Sequence, residues 1–208
     1  MRIPVAPEGW PFILAPAGGA LALWLVGWWV AAAVFAAAAL ASAGFFRDPE
    51  RTLPALPGVI VAPADGRVME LREIADPFVG EGVRLSIFLS PLDVHINRAP
   101  IGGLVLRVER QPGRFLAAYR PEASEANERC TLHLQGDVGP VSVRQIAGTV
   151  ARRIVCRVRA GDKLEQGQRF GLIRFGSRVD MVMPRTAQAR VRVGDRVRGG
   201  ETVIGVIA

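Results

Sequence analysis

The chain has 208 residues, half of them hydrophobic, and its 26 basic residues against 19 acidic ones give a net charge of +7. This hydrophobic content excludes a disordered chain, and the length allows one domain with an appendage or two small domains. Two cysteines, Cys130 and Cys156, are too few for a disulfide framework. We expect both to be buried, inert thiols in a reduced cytosolic setting. The only lysine is Lys163.

The first 50 residues are dominated by an apolar run with no charged residue from Gly9 to Phe46. As a single helix, these 38 positions would reach about 57 Å, nearly twice the bilayer core. A signal peptide has a much shorter apolar region, and a buried core helix is the other alternative. We expect Phe12–Phe46 to form a helical hairpin or one bent helix, with candidate breaks at Pro16, Gly18-Gly19 and Gly27.

Charge on either side of this run predicts its orientation. Arg47 and Arg51 follow it closely, so the positive-inside rule places the body of the protein at the cytoplasmic face of the cell membrane. Residues 1–50 carry two arginines against three acidic residues, which leaves +8 on residues 51–208. Such a body can lie against anionic lipid headgroups. Nucleic acid is not an expected partner, because aromatic residues for base stacking are few after residue 50.

After residue 50, short β-rich runs alternate with Gly, Pro and Asp turns, a pattern typical of an all-β barrel or sandwich. The only expected helix is short, at Arg120–Asn127. The predicted strands are Val59–Ala62, Arg67–Leu71, Val83–Leu89, Leu104–Arg110, Arg129–Leu134, Val141–Ile146, Ile154–Val158, Arg169–Arg174, Val179–Val182, Ala189–Val193 and Thr202–Val206.

An internal repeat indicates the architecture of this region. Gly161–Ile173 and Gly194–Val206 share the form G-D-x-(apolar)-x-x-G followed by an apolar strand. The pattern resembles the barrel-sandwich, or hammerhead, architecture of biotinyl and lipoyl domains, although Lys163 lacks the flanking residues of a carrier lysine. The predicted fold is therefore mainly β: a hammerhead-like domain at 51–208 behind an N-terminal hydrophobic helical membrane anchor at 1–50.

Three segments carry residues suited to catalysis. Asp65 lies in a Pro-Ala-Asp-Gly turn, Asp93 and His95 are two apart on one face of an expected strand, and Ser177 follows Gly176. Asp, His and Ser side chains can form a base-assisted nucleophile, but the sequence does not show that these three meet. Ser177 lacks the second glycine of a nucleophile elbow, which argues against a membrane serine hydrolase. The other histidine, His133, is expected to be a solvated strand residue.

Together with four further motifs, these segments resemble phosphatidylserine decarboxylase proenzymes of the short bacterial and archaeal form. The resemblance runs in order from about residue 45 to the C-terminus. The four further motifs are Phe45–Arg51, Pro112–Phe115, Asn127–Arg129 and Gln145–Gly148.

The resemblance implies a proenzyme that cuts itself between Gly176 and Ser177 into a large β chain, 1–176, and a small α chain, 177–208. In this family the serine attacks the carbonyl of the preceding glycine, and cleavage converts it into a pyruvoyl group that forms a Schiff base with the substrate. By motif match the catalytic residues are Ser177, His95 and Asp65. Asp93 is a further candidate, and neither a metal nor pyridoxal phosphate is expected. Gly176 suits a strained turn and a close approach that tolerate no Cβ.

The resemblance also implies partners and leaves alternatives open. It predicts a phospholipid substrate in the membrane and a heterodimer of the two cleavage chains, with further oligomerisation undecided. Arg114 and Arg129 are candidates for substrate binding. Many family members have a second histidine where this chain has Arg98, so a second-histidine proton relay is absent. A serine-headgroup isoprenoid lipid is an alternative substrate, and a non-catalytic membrane-anchored hammerhead adaptor is an alternative function.

Overall fold

The computed structural model describes residues 4–149, 153–174 and 176–207. The chain forms two compact units that divide between Glu50 and Arg51. The division agrees with the predicted boundary.

The first unit is a pair of helices that pack against each other. A 3-10 turn at Pro7–Gly9 leads into helix α1, Trp10–Leu25, and helix α2 spans Trp29–Phe45. The chain reverses at Gly27, whose φ of +79° is a left-handed conformation that glycine adopts without strain. The predicted hairpin is confirmed with its break at Gly27. The breaks at Pro16 and Gly18-Gly19 are wrong, because these residues continue α1.

The two helices are short. Helix α1 has 16 residues and α2 has 17. Within the part of the chain that the structure describes, no helix has the length and apolar character needed to cross a membrane. The membrane anchor therefore stays a prediction.

The described residues of the second unit form strands and one four-residue helix, α3, at Ala123–Ala126. The mainly-β prediction is confirmed. In chain order the strands are β1 Val59–Val61, β2 Gly66–Asp76, β3 Gly80–Leu89, β4 Ile96–Arg98, β5 Gly103–Gln111, β6 Arg129–Gly136, β7 Gly139–Ile146, β8 Ile154–Cys156, β9 Lys163–Leu164, β10 Arg169–Ile173, β11 Ser177–Pro184, β12 Ala187–Ala189, β13 Arg196–Val197 and β14 Val203–Ile207.

These strands form one large and two small sheets in which neighbouring strands are antiparallel. The eight-stranded sheet has the order β13-β2-β3-β11-β7-β6-β5-β9, and the three-stranded sheets have the orders β1-β14-β12 and β4-β10-β8. Strand β11 lies in the middle of the large sheet, and seven of its eight residues are buried. Apolar side chains from all three sheets form one core, which includes Ile60, Ile87, Val143, Phe170 and Met181.

The internal repeat of the sequence is also a repeat in structure. Gly161 and Gly194 have φ values of +93° and +99° and begin equivalent turns. Each donates its N–H over 2.8 Å to a carbonyl of the large sheet, Val105 for the first and Val68 for the second. Each turn leads into a two-residue strand and then a five-residue strand. This correspondence supports the hammerhead-like interpretation.

Several local predictions are wrong. The strand expected at Ala189–Val193 is β12, which ends at Ala189, because the following residues enter the turn in which Asp195 accepts the N–H of Arg192. The helix expected at Arg120–Asn127 is only α3, since Asn127 is already extended. Asp93 and His95 lie in a turn before β4 rather than on a strand.

His133 is not a solvated residue. Its side chain is 12% exposed, with Nδ1 3.0 Å from the Ser142 hydroxyl and the ring edge-on to Phe78. Burial lowers the pKa of its imidazole, and the neighbouring Glu109 carboxylate opposes that shift.

Candidate active site

Ser177 is a fully buried hydroxyl at the first position of β11. The residue pairs with Leu89 at the end of β3, and its exposed fraction is 0%. Among the described residues its Oγ has no hydrogen-bond partner. Most buried hydroxyls are hydrogen-bonded, so an orphaned one is an indication of chemistry at that atom.

The backbone brings the segment around His95 alongside the segment that leads to Ser177. At one end, Ser177 of β11 pairs with Leu89 of β3. At the other end, Leu172 of β10 pairs with Ile96 of β4, and Ile173 donates its N–H to the carbonyl of His95 over 3.3 Å. Both pairings are antiparallel, so the turn at residues 90–95 begins beside Ser177 and ends beside Ile173. Two segments that are far apart in sequence are thus brought together next to Ser177.

The ring of His95 is held in one tautomer by its own turn. The side chain is buried, and Nδ1 lies 2.9 Å from the main-chain carbonyl of Asp93. Because a carbonyl oxygen can only accept, Nδ1 must carry a proton, and in the neutral ring Nε2 is then the basic nitrogen. This is the tautomer that a general base needs.

Asp65 forms an ion pair with Arg51, a residue that the sequence did not link to the candidate site. Both carboxylate oxygens accept from Arg51 Nη2, at 3.0 and 2.8 Å, and Oδ1 also accepts the N–H of Gly199 over 2.8 Å. Burial raises the pKa of Asp65 above its ordinary value, and the nearby Asp93 charge adds to this. The Gly199 and Arg51 bonds act in the opposite direction.

Asp93 shapes the turn that carries His95. Its Oδ2 accepts the N–H of Ser90 over 2.8 Å, and its Oδ1 lies 3.3 Å from Arg196 Nη1. The contact between Asp93 and the imidazole is made by the main-chain carbonyl. The carboxylate therefore fixes the 90–95 turn, and the carbonyl orients the ring.

The backbone beside the predicted cleavage bond is held at both Gly176 and Gly148. Gly176 has a φ of +64°, which fits the expected strained turn, but a Cβ there would meet no described atom within 4 Å. The expected close approach lies instead at Gly148, where a Cβ would overlap the carbonyl oxygen of Gly176. Gly148 belongs to the Gln145–Gly148 motif, which gave no indication of a contact with Gly176.

A buried asparagine holds the Gly148 turn in place. Asn127 is fully buried. Its Nδ2 donates to the carbonyls of Ala147 and Leu116, and its Oδ1 accepts the N–H of Leu116, each over 2.8 Å. Because these bonds are to backbone, Asn127 joins the loop at residues 112–118 to the turn that contacts Gly176.

A buried ionic cluster follows Ser177. The Arg178 guanidinium, 1% exposed, donates to Asp180 Oδ1 over 2.6 Å and to the Ser86 hydroxyl over 2.7 Å. It also reaches Glu70 Oε2 at 3.2 Å. Asp180 Oδ2 accepts from Ser124 of α3 over 2.7 Å. The cluster holds β11 in place directly after Ser177. A cavity of about 370 Å³, lined in part by Arg178 and Tyr119, adjoins the cluster.

The arginines considered for substrate binding have other observed contacts. The main chain of Arg114 bridges to Asn127, and its side chain is exposed. Arg129 is directed to Glu125 and begins β6, which β7 separates from β11. Arg98, at the position of the second family histidine, is buried and donates to the carbonyl of Gly167 over 3.1 Å. Substrate binding by Arg114 and Arg129 stays a prediction.

Metal-binding groups can be assessed for the described residues only. Within residues 4–149, 153–174 and 176–207, no three His, Cys, Asp or Glu side chains are grouped so that they could hold a metal ion. A Schiff base formed through a lysine of the protein itself would have to use Lys163, which is exposed at the start of β9.

Comparison with known proteins identifies the family. The family model for phosphatidylserine decarboxylase matches residues 39–205. A phosphatidylserine decarboxylase proenzyme of Symbiobacterium thermophilum is 51% identical over 99% of this chain and 97% of its own length. Those of Oleidesulfovibrio alaskensis and Nitrosomonas europaea are each 44% identical over 96% of this chain and over 93% and 94% of their own lengths. The chain therefore belongs to the phosphatidylserine decarboxylase family.

Proposed function

We propose that this protein cuts itself between Gly176 and Ser177 and then decarboxylates phosphatidylserine to phosphatidylethanolamine. The observation that carries the proposal is the buried Ser177 hydroxyl, unpartnered among described residues, directly after a glycine with left-handed φ. The family and the names of its relatives support the substrate.

Self-cleavage begins with attack of Ser177 Oγ on the carbonyl carbon of Gly176. His95 Nε2 accepts the hydroxyl proton, and the Asp93 carbonyl stabilises the protonated Nδ1 as the ring gains charge. The peptide C–N bond breaks as an ester bond forms between the same two residues, and His95 passes the proton to the freed amine of Ser177. Elimination then removes the Cα proton of residue 177 and breaks the ester C–O bond, which leaves a carboxylate on Gly176 and a dehydroalanine at the start of the small chain. Water hydrolyses the imine tautomer of this dehydroalanine to a pyruvoyl group and ammonia. Gly148 confines the carbonyl that is attacked, and Arg178 anchors the strand on the other side. Asp65 supplies a negative charge that is balanced by Arg51.

The arrangement of strands supports a stable complex of the two product chains. Residues 177–208 would contribute β11 to the middle of the large sheet and β14 to the middle of a small sheet. The strands β11, β13 and β14 pair with β3, β7, β2 and β1, all of which belong to residues 1–176. A 32-residue chain is below the size that usually folds alone, about 40 residues, so it stays bound.

The pyruvoyl group fits the position of Ser177. It would lie at the start of β11, where residue 177 pairs with Leu89, and the contacts of Arg178 would hold that strand from its opposite face. Its carbonyl supplies an electron sink for loss of CO₂ from an α-amino acid headgroup. His95 is the side chain that holds a proton for the carbon from which CO₂ departs, which completes the ethanolamine headgroup.

Access to a lipid substrate is the proposed function of the helical hairpin. Its exposed large apolar side chains include Leu14, Leu21, Trp24, Leu25, Trp28, Trp29, Val30, Val34 and Leu40. An apolar surface of this size is unusual for a water-exposed protein and is typical of membrane contact. We propose that the protein associates with the cytoplasmic face of the cell membrane through this hairpin.

The intact mass of the purified protein tests the processing step. Wild-type protein should give two chains, residues 1–176 and 177–208, with the small chain blocked to Edman sequencing. Ser177→Ala should remain one 208-residue chain without decarboxylase activity, because it has no hydroxyl for the attack. Ser142→Ala, which removes another buried hydroxyl of the large sheet, should still be cut. Phosphatidylserine decarboxylation by an uncut wild-type chain would overturn the mechanism.

A further inference from the structure

The two cysteines, 26 positions apart in sequence, lie side by side in the folded protein. Cys130 is on β6 of the large sheet, Cys156 ends β8 of a small sheet, and the two strands pack against each other. Arg110 is the cross-strand partner of Cys130, and its guanidinium donates to the Cys156 carbonyl, so the two thiols lie within reach of each other. Cys130 is buried, whereas Cys156 is only partly buried, so the expectation of two buried thiols is wrong for Cys156.

The surroundings of this pair favour a thiolate on Cys156. The hydrogen bond from Cys130 lowers the pKa of the Cys156 thiol to about 7 against the opposing effect of burial, and the Arg110 charge acts in the same direction as that bond. The same bond and burial raise the pKa of Cys130. Assignment of the charge to Cys156 agrees with its greater exposure, since solvent stabilises the thiolate.

The cysteine pair has a positive charge beside it and a cavity through which a small oxidant can approach. Arg110 Nη2 donates to the Cys156 carbonyl over 3.2 Å, which holds the guanidinium beside the pair. A cavity of about 340 Å³ lined by Arg110, Cys130 and Ile154 adjoins the buried partner. A small oxidant can therefore approach a pair made of one nucleophilic thiolate and one adjacent thiol, the arrangement found in redox-sensitive cysteines.

We propose that Cys130 and Cys156 form a peroxide-sensitive dithiol that closes to an intramolecular disulfide. The Cys156 thiolate attacks one oxygen of hydrogen peroxide, the O–O bond breaks, and the hydroxide that leaves takes up a proton as water. The sulfur of Cys130 then attacks the sulfenic acid, an S–S bond forms, and a second water leaves with the Cys130 proton. The protein loses two electrons and two protons, and one peroxide is reduced to two waters.

The order of the two steps follows from the contacts. Cys156 reacts first because it is the thiolate and the more exposed sulfur. Its conversion to a neutral sulfenic acid removes a charge that disfavours ionisation of Cys130. Cys130 then becomes the better nucleophile and is already in contact. The product covalently joins the large sheet to the sheet that contains β10.

Peptide mapping of wild-type protein tests the proposal without a variant. After peroxide treatment and alkylation of free thiols, trypsin should release residues 130–144 joined to residues 154–157, and dithiothreitol should separate them. Both cysteines lie within residues 1–176, so the result does not depend on self-cleavage. Two separately alkylated peptides, or sulfinic acid on Cys156 without a cross-link, would overturn the proposal.

Variants identify which sulfur reacts first. In Cys130→Ala, peroxide should leave a sulfenic acid on Cys156 that dimedone labels. In Cys156→Ala, Cys130 should resist oxidation. In untreated wild-type protein near pH 7, iodoacetamide should modify Cys156 about tenfold faster than Cys130 or more, since each pKa unit changes the thiolate fraction about tenfold. Faster modification of Cys130 would contradict the assigned order.

Discussion

Gly148 lies against the carbonyl group of Gly176, so closely that any side chain at position 148 would occupy the position of that oxygen. We predict that Gly148→Ala slows or abolishes self-cleavage, because the added methyl group must displace the carbonyl that Ser177 attacks in the proposed mechanism. A misplacement of about 1 Å can cost about a hundredfold in rate. The cut fraction over time, measured on denaturing gels, checks this.

Gly102→Ala is a matched control for that experiment. Gly102 is in the same unit, and a Cβ there would meet its nearest described atom at 3.5 Å, an ordinary contact. It should be cut at the wild-type rate. If Gly148→Ala folds with an unchanged melting temperature and is also cut normally, the carbonyl is not confined in the way we infer.

The Arg178 cluster should contribute strongly to stability. Arg178→Met leaves Asp180 buried without its cation, which costs about 3–5 kcal/mol of unfolding free energy. Urea denaturation in a Ser177→Ala background measures this in a single uncut chain. Arg185→Met removes an exposed pair with Glu73 and should cost under about 1 kcal/mol. The double variant Arg178→Met with Asp180→Leu should recover part of the lost unfolding free energy. If Arg178→Met and Arg185→Met lose similar amounts, the cluster does not contribute strongly to stability.

Protonation of Asp65 should change the unfolding free energy and the rate of self-cleavage in opposite directions. Its pKa is raised in the folded protein, chiefly by burial. Between the ordinary value of 3.8 and the raised value, the folded chain binds more protons than the unfolded chain. The contribution of Asp65 to unfolding free energy therefore rises as pH falls through the raised pKa. Processing should slow over the same interval, since the carboxylate loses its charge.

Comparison with Asp65→Asn isolates this effect from other titrating groups. The unfolding free energy of wild type minus that of the variant should increase as pH is lowered, in urea titrations at several pH values. In wild-type protein the cleavage rate should fall as pH is lowered and Asp65 becomes protonated. This fall should be absent in Asp65→Asn. An identical pH dependence in both proteins would show that Asp65 does not titrate in this range.

Membrane contact by the hairpin can be followed through tryptophan. All four tryptophans, Trp10, Trp24, Trp28 and Trp29, lie in the first unit, so selectively excited tryptophan emission reports on that unit alone. Vesicles of anionic phospholipid with brominated acyl chains should quench the emission, because bromine must lie within contact of the indole rings. Unbrominated vesicles are the control. Binding of the protein without quenching would assign membrane association to the basic body instead.

Sequence patterns alone predicted the division at residue 50, the mainly-β body, the glycine-aspartate repeat and the candidate residues Asp65, His95 and Ser177. These depend on local properties: hydrophobic run length, turn chemistry at Gly161 and Gly194, and short motifs. The break at Gly27 was one of three local candidates, and only helix packing selected it.

The contacts that hold these residues in place depend on the tertiary structure. The Arg51 contact with Asp65, the packing of Gly148 on Gly176, the Asn127 bonds and the pairing of Cys130 with Cys156 join segments from different parts of the chain. No local periodicity encodes them, because they arise where antiparallel strands from different sheets meet. Strand register produces this arrangement: once Ser177 pairs with Leu89 and Leu172 with Ile96, the turn at residues 90–95 must begin beside Ser177.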